Sequence, residues 1–180
     1  MKTYISILRG INVGGHKSIK MLALSQMYED LGFTKVKTYI QSGNIVFQCQ
    51  KKDPLKLASD IAGKISDTFS LEVPVIVMEL EEVEKVHQNN LFISKNKYDI
   101  NFLHVTFLSQ KPKQIDIDKI SGDYGKDEFL ISEKAIYLYC PNGYGKTKLT
   151  NTFFESKLKV TATTRNWKTV TELINIASSH

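Results

Sequence analysis

The chain has 180 residues, of which 42% are hydrophobic and 24% charged, enough apolar content for one good core or two small ones and too much for a disordered segment. No apolar run approaches the ~20 residues of a membrane span, the N-terminus lacks the apolar core and cleavage site of a secretory leader, and Cys49 and Cys140 sit in no metal spacing. The expectation is a reduced, cytoplasmic protein with no membrane, metal or cofactor, and the formal net charge of +5 favours anionic partners although the lysines are spread among acidic residues as solvated surface would have them.

In chain order, Tyr4 to Leu8 reads as a strand running into the glycine-rich segment Arg9-Gly10-Ile11-Asn12-Val13-Gly14-Gly15. A helix follows from about Met21, with Leu24, Met27, Tyr28 and Leu31 in phase and Gly32 placed to end it. Runs 36–41 and 44–48 form a hairpin around Ser42-Gly43. Asp53-Pro54 supplies a helix cap and a first-turn proline, with Ala58, Ile61, Ala62, Ile65 and Phe69 as the buried stripe. Run 73–78 is the next strand, and 79–89 a connecting helix in which His87 and Glu84 read as a solvated pair.

The pattern then returns. Run 101–108 is a strand, 114–120 a short helix at best, 128–132 and 135–140 a hairpin around Glu133-Lys134, 146–158 a helix, 160–164 a strand, and 167–177 a final helix. Each half therefore reads βαββαβ, the ferredoxin-like unit. The fold expected is α+β: an internal duplication of two ferredoxin-like halves packed as one compact unit, with residues 1–79 as the first half and 80–180 as connecting helix, second half and C-terminal helix.

Two features point to chemistry. Of 24 basic residues only Arg9 and Arg165 are arginine, and a site that keeps arginine in a lysine-rich chain is one that uses the planar fork. Both glycine segments also miss the phosphate-loop pattern narrowly: after Gly10 and Gly15 the lysine and serine come one place late, and before Gly145-Lys146-Thr147 Cys140 stands where the first glycine belongs. What survives is backbone N–H groups presented to an anion near a helix start; the structural alternative is glycine serving tight turns. The candidate ligand-binding residues are Arg9, Gly10, Asn12, Gly14, Gly15, Lys146, Arg165 and Asn166, with Arg9 and Arg165 expected to flank one cleft. His16, His87, His104 and His180 form no metal or catalytic pattern, and His104 reads as a sheet residue. The alternative is an RNA- or protein-binding module that uses Tyr137 and Tyr139 on an open sheet face.

The segments Leu8 to Gly15, Thr38-Tyr39-Ile40-Gln41-Ser42-Gly43-Asn44, His104-Val105-Thr106-Phe107-Leu108 and Thr163-Thr164-Arg165-Asn166-Trp167 resemble hallmarks of the domain of unknown function 1697 family, and Pro141 to Leu149 is similar to its glycine-rich segment before the penultimate helix. The resemblance implies a bacterial-type cytoplasmic protein and brings no catalytic residues. A small phosphate- or carboxylate-bearing ligand is the partner expected; nucleic acid stays open as a partner, as do catalysis and oligomeric state.

Overall fold

The computed structural model describes residues 1–94 and 97–179; His180 lies outside the described residues. In order the elements are β1 (Lys2–Leu8), α1 (Met21–Asp30), β2 (Thr34–Tyr39), β3 (Asn44–Cys49), α2 (Pro54–Phe69), β4 (Val75–Glu79), α3 (Leu80–Gln88), α4 (Leu91–Ser94), β5 (Leu103–Leu108), α5 (Ile117–Ile120), β6 (Glu128–Ile131), β7 (Ala135–Tyr139), α6 (Asn151–Leu158), β8 (Ala162–Asn166) and α7 (Trp167–Ser178). They form two compact units, Met1–Lys85 with Glu172–His180, and Val86–Thr171. Each unit holds a four-stranded antiparallel sheet, ordered β2-β3-β1-β4 in the first and β6-β7-β5-β8 in the second. The same order in both makes each a ferredoxin-like βαββαβ unit.

In the first unit, strand alternation puts Tyr4 and Leu8 of β1, Ile45 and Phe47 of β3 and Val75 and Val77 of β4 on one face. Helices α1 and α2 cover that face with Leu24, Met27, Tyr28, Leu57, Ile61 and Ile65. Asp53 caps α2 by accepting the Leu55 amide at 3.1 Å, and Pro54 opens it. Tyr28 is fully buried, and its hydroxyl shares a 2.8 Å hydrogen bond with the buried Ser6, which offsets the desolvation of both. Ile5, Ile7, Val46, Ile76 and Met78 on the opposite face are buried too, so β1 and β3 read as apolar runs without clean alternation.

The second unit has less helical cover. Its α5 is a single turn, and Ile120 joins Leu108, Ile136, Leu138, Phe154 and Leu158 in a smaller core. Two boundaries differ from the sequence expectation. The penultimate helix begins at Asn151, not Lys146, because Thr147 Oγ1 accepts the Leu149 amide at 3.1 Å and Thr150 Oγ1 accepts the Phe153 amide at 3.2 Å. These local bonds hold the threonines extended and place the cap at Thr150. The last strand runs from Ala162 to Asn166 because its register against β5 pairs Leu108 with Ala162 and His104 with Asn166; Arg165 therefore lies inside a strand rather than after it.

Candidate functional site

In the first unit, two of the segments singled out in the sequence come together. The Leu8 amide donates to the Gly43 carbonyl at 2.8 Å. Gly43, at φ +79°, lies so close beneath the chain that an added Cβ would stand 2.7 Å from Leu8 Cβ and 2.9 Å from Ile11 Cδ1. Asn12 joins the segments: its Nδ2 donates to the carbonyls of Ile19 at 3.0 Å and Gln41 at 2.9 Å, while its Oδ1 accepts the Ile19 amide at 2.8 Å. Both ends of the loop 9–19 are thereby pinned, to each other and to the β2–β3 hairpin.

Within the pinned loop the backbone turns repeatedly left-handed, with positive φ at Gly10, Asn12, Gly14, Gly15 and Lys17. Gly10, Gly14, Gly15 and His16 are exposed and Arg9 is half-buried. Arg9 is anchored through its amide, which donates to the Pro74 carbonyl at 3.0 Å, and Lys17 Nζ donates to the Glu72 carbonyl. The first acidic residue of the chain is Glu29, so Lys2, Arg9, Lys17 and Lys20 stand in a stretch with no carboxylate of its own. Helix α1 starts only at Met21 and has no side-chain cap, so the glycines do not abut a helix N-terminus. The surroundings of Asn12, namely Gln41, Lys17 and Ile19, were not singled out as site residues in the sequence; a contact between a loop and a distant hairpin leaves no local signal.

In the second unit, Arg165 pairs with Val105 on the sheet face that also carries Phe107, Thr163 and Tyr137. Burial there pulls its guanidinium down to about 10, opposed by Tyr144, so it remains charged at neutral pH. It donates to the Thr164 carbonyl at 2.9 Å. Asn166 accepts the Thr169 amide at 2.8 Å in the first turn of α7. On the other face, Thr164 Oγ1 gathers a polar cluster: Asn151 Oδ1 at 2.7 Å, Thr106 Oγ1 at 2.7 Å and the Tyr144 hydroxyl at 3.0 Å. Tyr144 stacks on His104 at 5.1 Å, whose Nδ1 bonds the Phe102 carbonyl at 3.2 Å and whose pKa burial lowers. Lys146 sits in a 3-10 turn, away from any helix start, on a concavity of ≈ 410 Å³ shared with Lys126, Lys148, Asp123, Asp127 and Asn142. Arg9 and Asn12 belong to the first unit and Arg165, Asn166 and Lys146 to the second.

His87 is not a solvated partner of Glu84. It stacks on Trp167 at 4.3 Å, and its Nε2 lies 3.0 Å from Thr171 Oγ1. The Thr171 hydroxyl donates to the Trp167 carbonyl at 3.1 Å, so its oxygen accepts from His87 Nε2–H. Tyr137 is 4% exposed and donates its hydroxyl to the Val86 carbonyl at 2.8 Å, which leaves no ring face for a base. Tyr139 packs edge-on against Tyr98 at 4.7 Å. Among the described residues no three His, Cys, Asp or Glu side chains gather as a metal site requires, and no helix is long and apolar enough to cross a membrane.

A conserved bacterial protein, SP0830 from Streptococcus pneumoniae, has a similar structure, with a TM-score of 0.65 and 23% sequence identity over 98% of each chain. That likeness extends the two-sheet architecture across the whole chain. No curated protein matches the sequence. Residues 1–137, which include the Leu8–Gly15 loop, the hairpin that Asn12 ties to it and strands β5 and β6, match the family described as a protein of unknown function (DUF1697), and the chain belongs to that family.

Proposed function

We propose that the protein binds a small anionic ligand, phosphate- or carboxylate-bearing, at the loop that follows β1. The observation that carries this reading is the Asn12 clamp. A flexible glycine loop loses much entropy on ordering around a ligand, and three hydrogen bonds from one side chain meet that cost in advance. The clamped loop has left-handed residues at Gly10, Asn12, Gly14, Gly15 and Lys17, and turns of that kind favour backbone N–H groups that share one anion. Arg9 adds a guanidinium suited to two-pronged recognition of a carboxylate or phosphate. Arg165 and Lys146 offer cationic groups of the same kind in the second unit, the first desolvated and the second on a concavity. Asn166 is engaged as a cap and its share in binding is the backbone it fixes. The buried free thiols of Cys49 and Cys140 are consistent with a reducing, cytoplasmic setting.

The test is a thermal-shift and calorimetric series with inorganic phosphate, a nucleoside monophosphate, a sugar phosphate and a dicarboxylate. A ligand at 100 times its Kd stabilises the fold by about 2.7 kcal/mol. Arg9→Lys keeps the charge and removes the fork, so binding weakens about tenfold or more while the melting temperature holds. Arg165→Lys reports separately on the second unit. Unchanged affinity with a lowered melting temperature in either variant makes that arginine a structural residue, and a series with no shift at all sinks the reading.

A further inference from the structure

Some lysines meet carboxylates: Lys2 reaches Glu81 at 2.7 Å, Lys56 reaches Asp60 at 3.2 Å and Lys111 reaches Glu133 at 2.5 Å. One concavity of the second unit gathers four lysines around a single carboxylate. It encloses ≈ 280 Å³ between the segment that carries α5 and the C-terminal end of α6, and it is lined by Lys113, Lys119, Lys157 and Lys159 with Asp116 as its one acidic residue. Asp116 is spent locally, since Lys119 Nζ lies 2.8 Å from its Oδ2. The floor is Leu158 and Val160, which are 3% and 9% exposed and belong to the core, so the lysines stand on packed ground rather than on a loose loop.

The α6 wall is fixed by the way its helix ends. Lys159 closes α6 in the left-handed conformation, φ +57°, with its amide donating to the Glu155 carbonyl at 2.9 Å. Glycine is the residue usually found there, because a side chain at that φ is strained; this chain keeps a lysine. Lys157 and Lys159 also complement the negative end of the α6 dipole. That local role does not extend to Lys113, which reaches the concavity from the loop after β5, nor to Gln110 and Gln114 beside it, whose amides add neutral donors. Like charges brought to one hollow repel, and a multivalent anion removes that repulsion in a single step.

We propose that this hollow is a second anion site, which takes a compact oligophosphate, a chain of two or three linked phosphates, independently of the loop after β1. Its volume suits such a group, and its cations come from two walls so that separate phosphates are engaged together. The same chemistry is available from a free oligophosphate, from the tail of a nucleotide and from a nucleic-acid backbone, and the three are separated by the probes chosen.

Titration calorimetry of the full chain with tripolyphosphate, orthophosphate, adenosine triphosphate and a short oligothymidylate tests it. Tripolyphosphate is expected to bind more tightly than orthophosphate, with affinity that falls as salt rises from about 50 to 200 mM. The double variant Lys113→Glu, Lys157→Glu is expected to lose at least about tenfold in affinity, one from each wall. The milder pair Lys113→Gln, Lys159→Gln gives the same direction if the charge reversals disturb the fold. Loss of tripolyphosphate affinity in the lysine variants, with any orthophosphate response retained, separates failure of this site from failure of the loop site. Equal binding of adenosine triphosphate and tripolyphosphate supports recognition of the phosphate chain itself. Absence of tripolyphosphate binding at low salt, affinity unchanged in both double variants, or stronger lysine-dependent binding of the oligothymidylate overturns the proposal.

Discussion

Asn12 concentrates more structure in one side chain than its neighbours do. It adopts φ +55°, a conformation asparagine tolerates better than most residues, and it satisfies three backbone groups on two segments. Asn12→Ala strands those partners and keeps the unfavourable φ, so a loss of about 2–3 kcal/mol is expected in urea unfolding. Asn12→Asp retains the acceptor for Ile19 but sets a carboxylate oxygen against the Ile19 and Gln41 carbonyls, so it is expected to lose at least as much. His87 makes a pH prediction. Burial holds its pKa below the usual value, and His104 is shifted the same way. The folded state then binds fewer protons than the unfolded chain, so the contribution is full above about pH 6.5 and is lost as pH falls below it. His87→Gln is expected to lower stability at pH 7 and to flatten the decline between pH 7 and 5; an unaltered slope shows that the stack with Trp167 opens before the imidazole protonates.

At the scale of elements, the β2–β3 hairpin and the loop after β1 depend on one absent side chain. Gly43 combines φ +79° with a Cβ position occupied by Leu8 and Ile11. Gly43→Ala adds both a backbone penalty and an overpacking penalty, together about 2–4 kcal/mol, seen as a lower denaturation midpoint with unchanged m-value. Because Ile11 lies between Gly43 and the Asn12 clamp, the same variant is expected to weaken ligand binding at the loop, where a change on a surface turn would not. The contrast with the second unit is physical. There Cys140 occupies the place of a first loop glycine, its thiol pushed up to about 11 by burial, and the chain passes through a 3-10 turn before α6 rather than through a glycine loop.

At the scale of the molecule, the two units share a sheet order but divide their helical cover unequally. The first has the 10-residue α1 and the 16-residue α2, whereas the second has the four-residue α5 and the eight-residue α6. The C-terminal residues Glu172–His180 group with the first unit although they follow the second in sequence. Leu173 is 1% exposed, so Leu173→Ala is expected to cost about 2–4 kcal/mol. Faster amide exchange in α1 and β2 than in α6 locates that cost in the first unit; the opposite pattern contradicts the grouping.

The order of strands and helices was legible in the sequence because each element carries its own period: the Leu24–Met27–Tyr28 stripe, the Asp53-Pro54 cap, and the two hairpins marked by Ser42-Gly43 and Glu133-Lys134. Arg9, Asn12 and the glycines stand out in the sequence too, as residue types with few local explanations, and binding at them is a proposal. Tertiary contacts decided the rest. The register of β8 against β5 put Arg165 inside a strand and moved its charge onto a buried face. The side-chain bonds of Thr147 and Thr150 delayed α6 and removed Lys146 from a helix start. The stack with Trp167 took His87 out of solvent, and the Gln41 carbonyl became the anchor of a loop some thirty positions earlier. A local window records the propensity of a segment; it carries no information on which distant backbone group a side chain will reach once the core has closed.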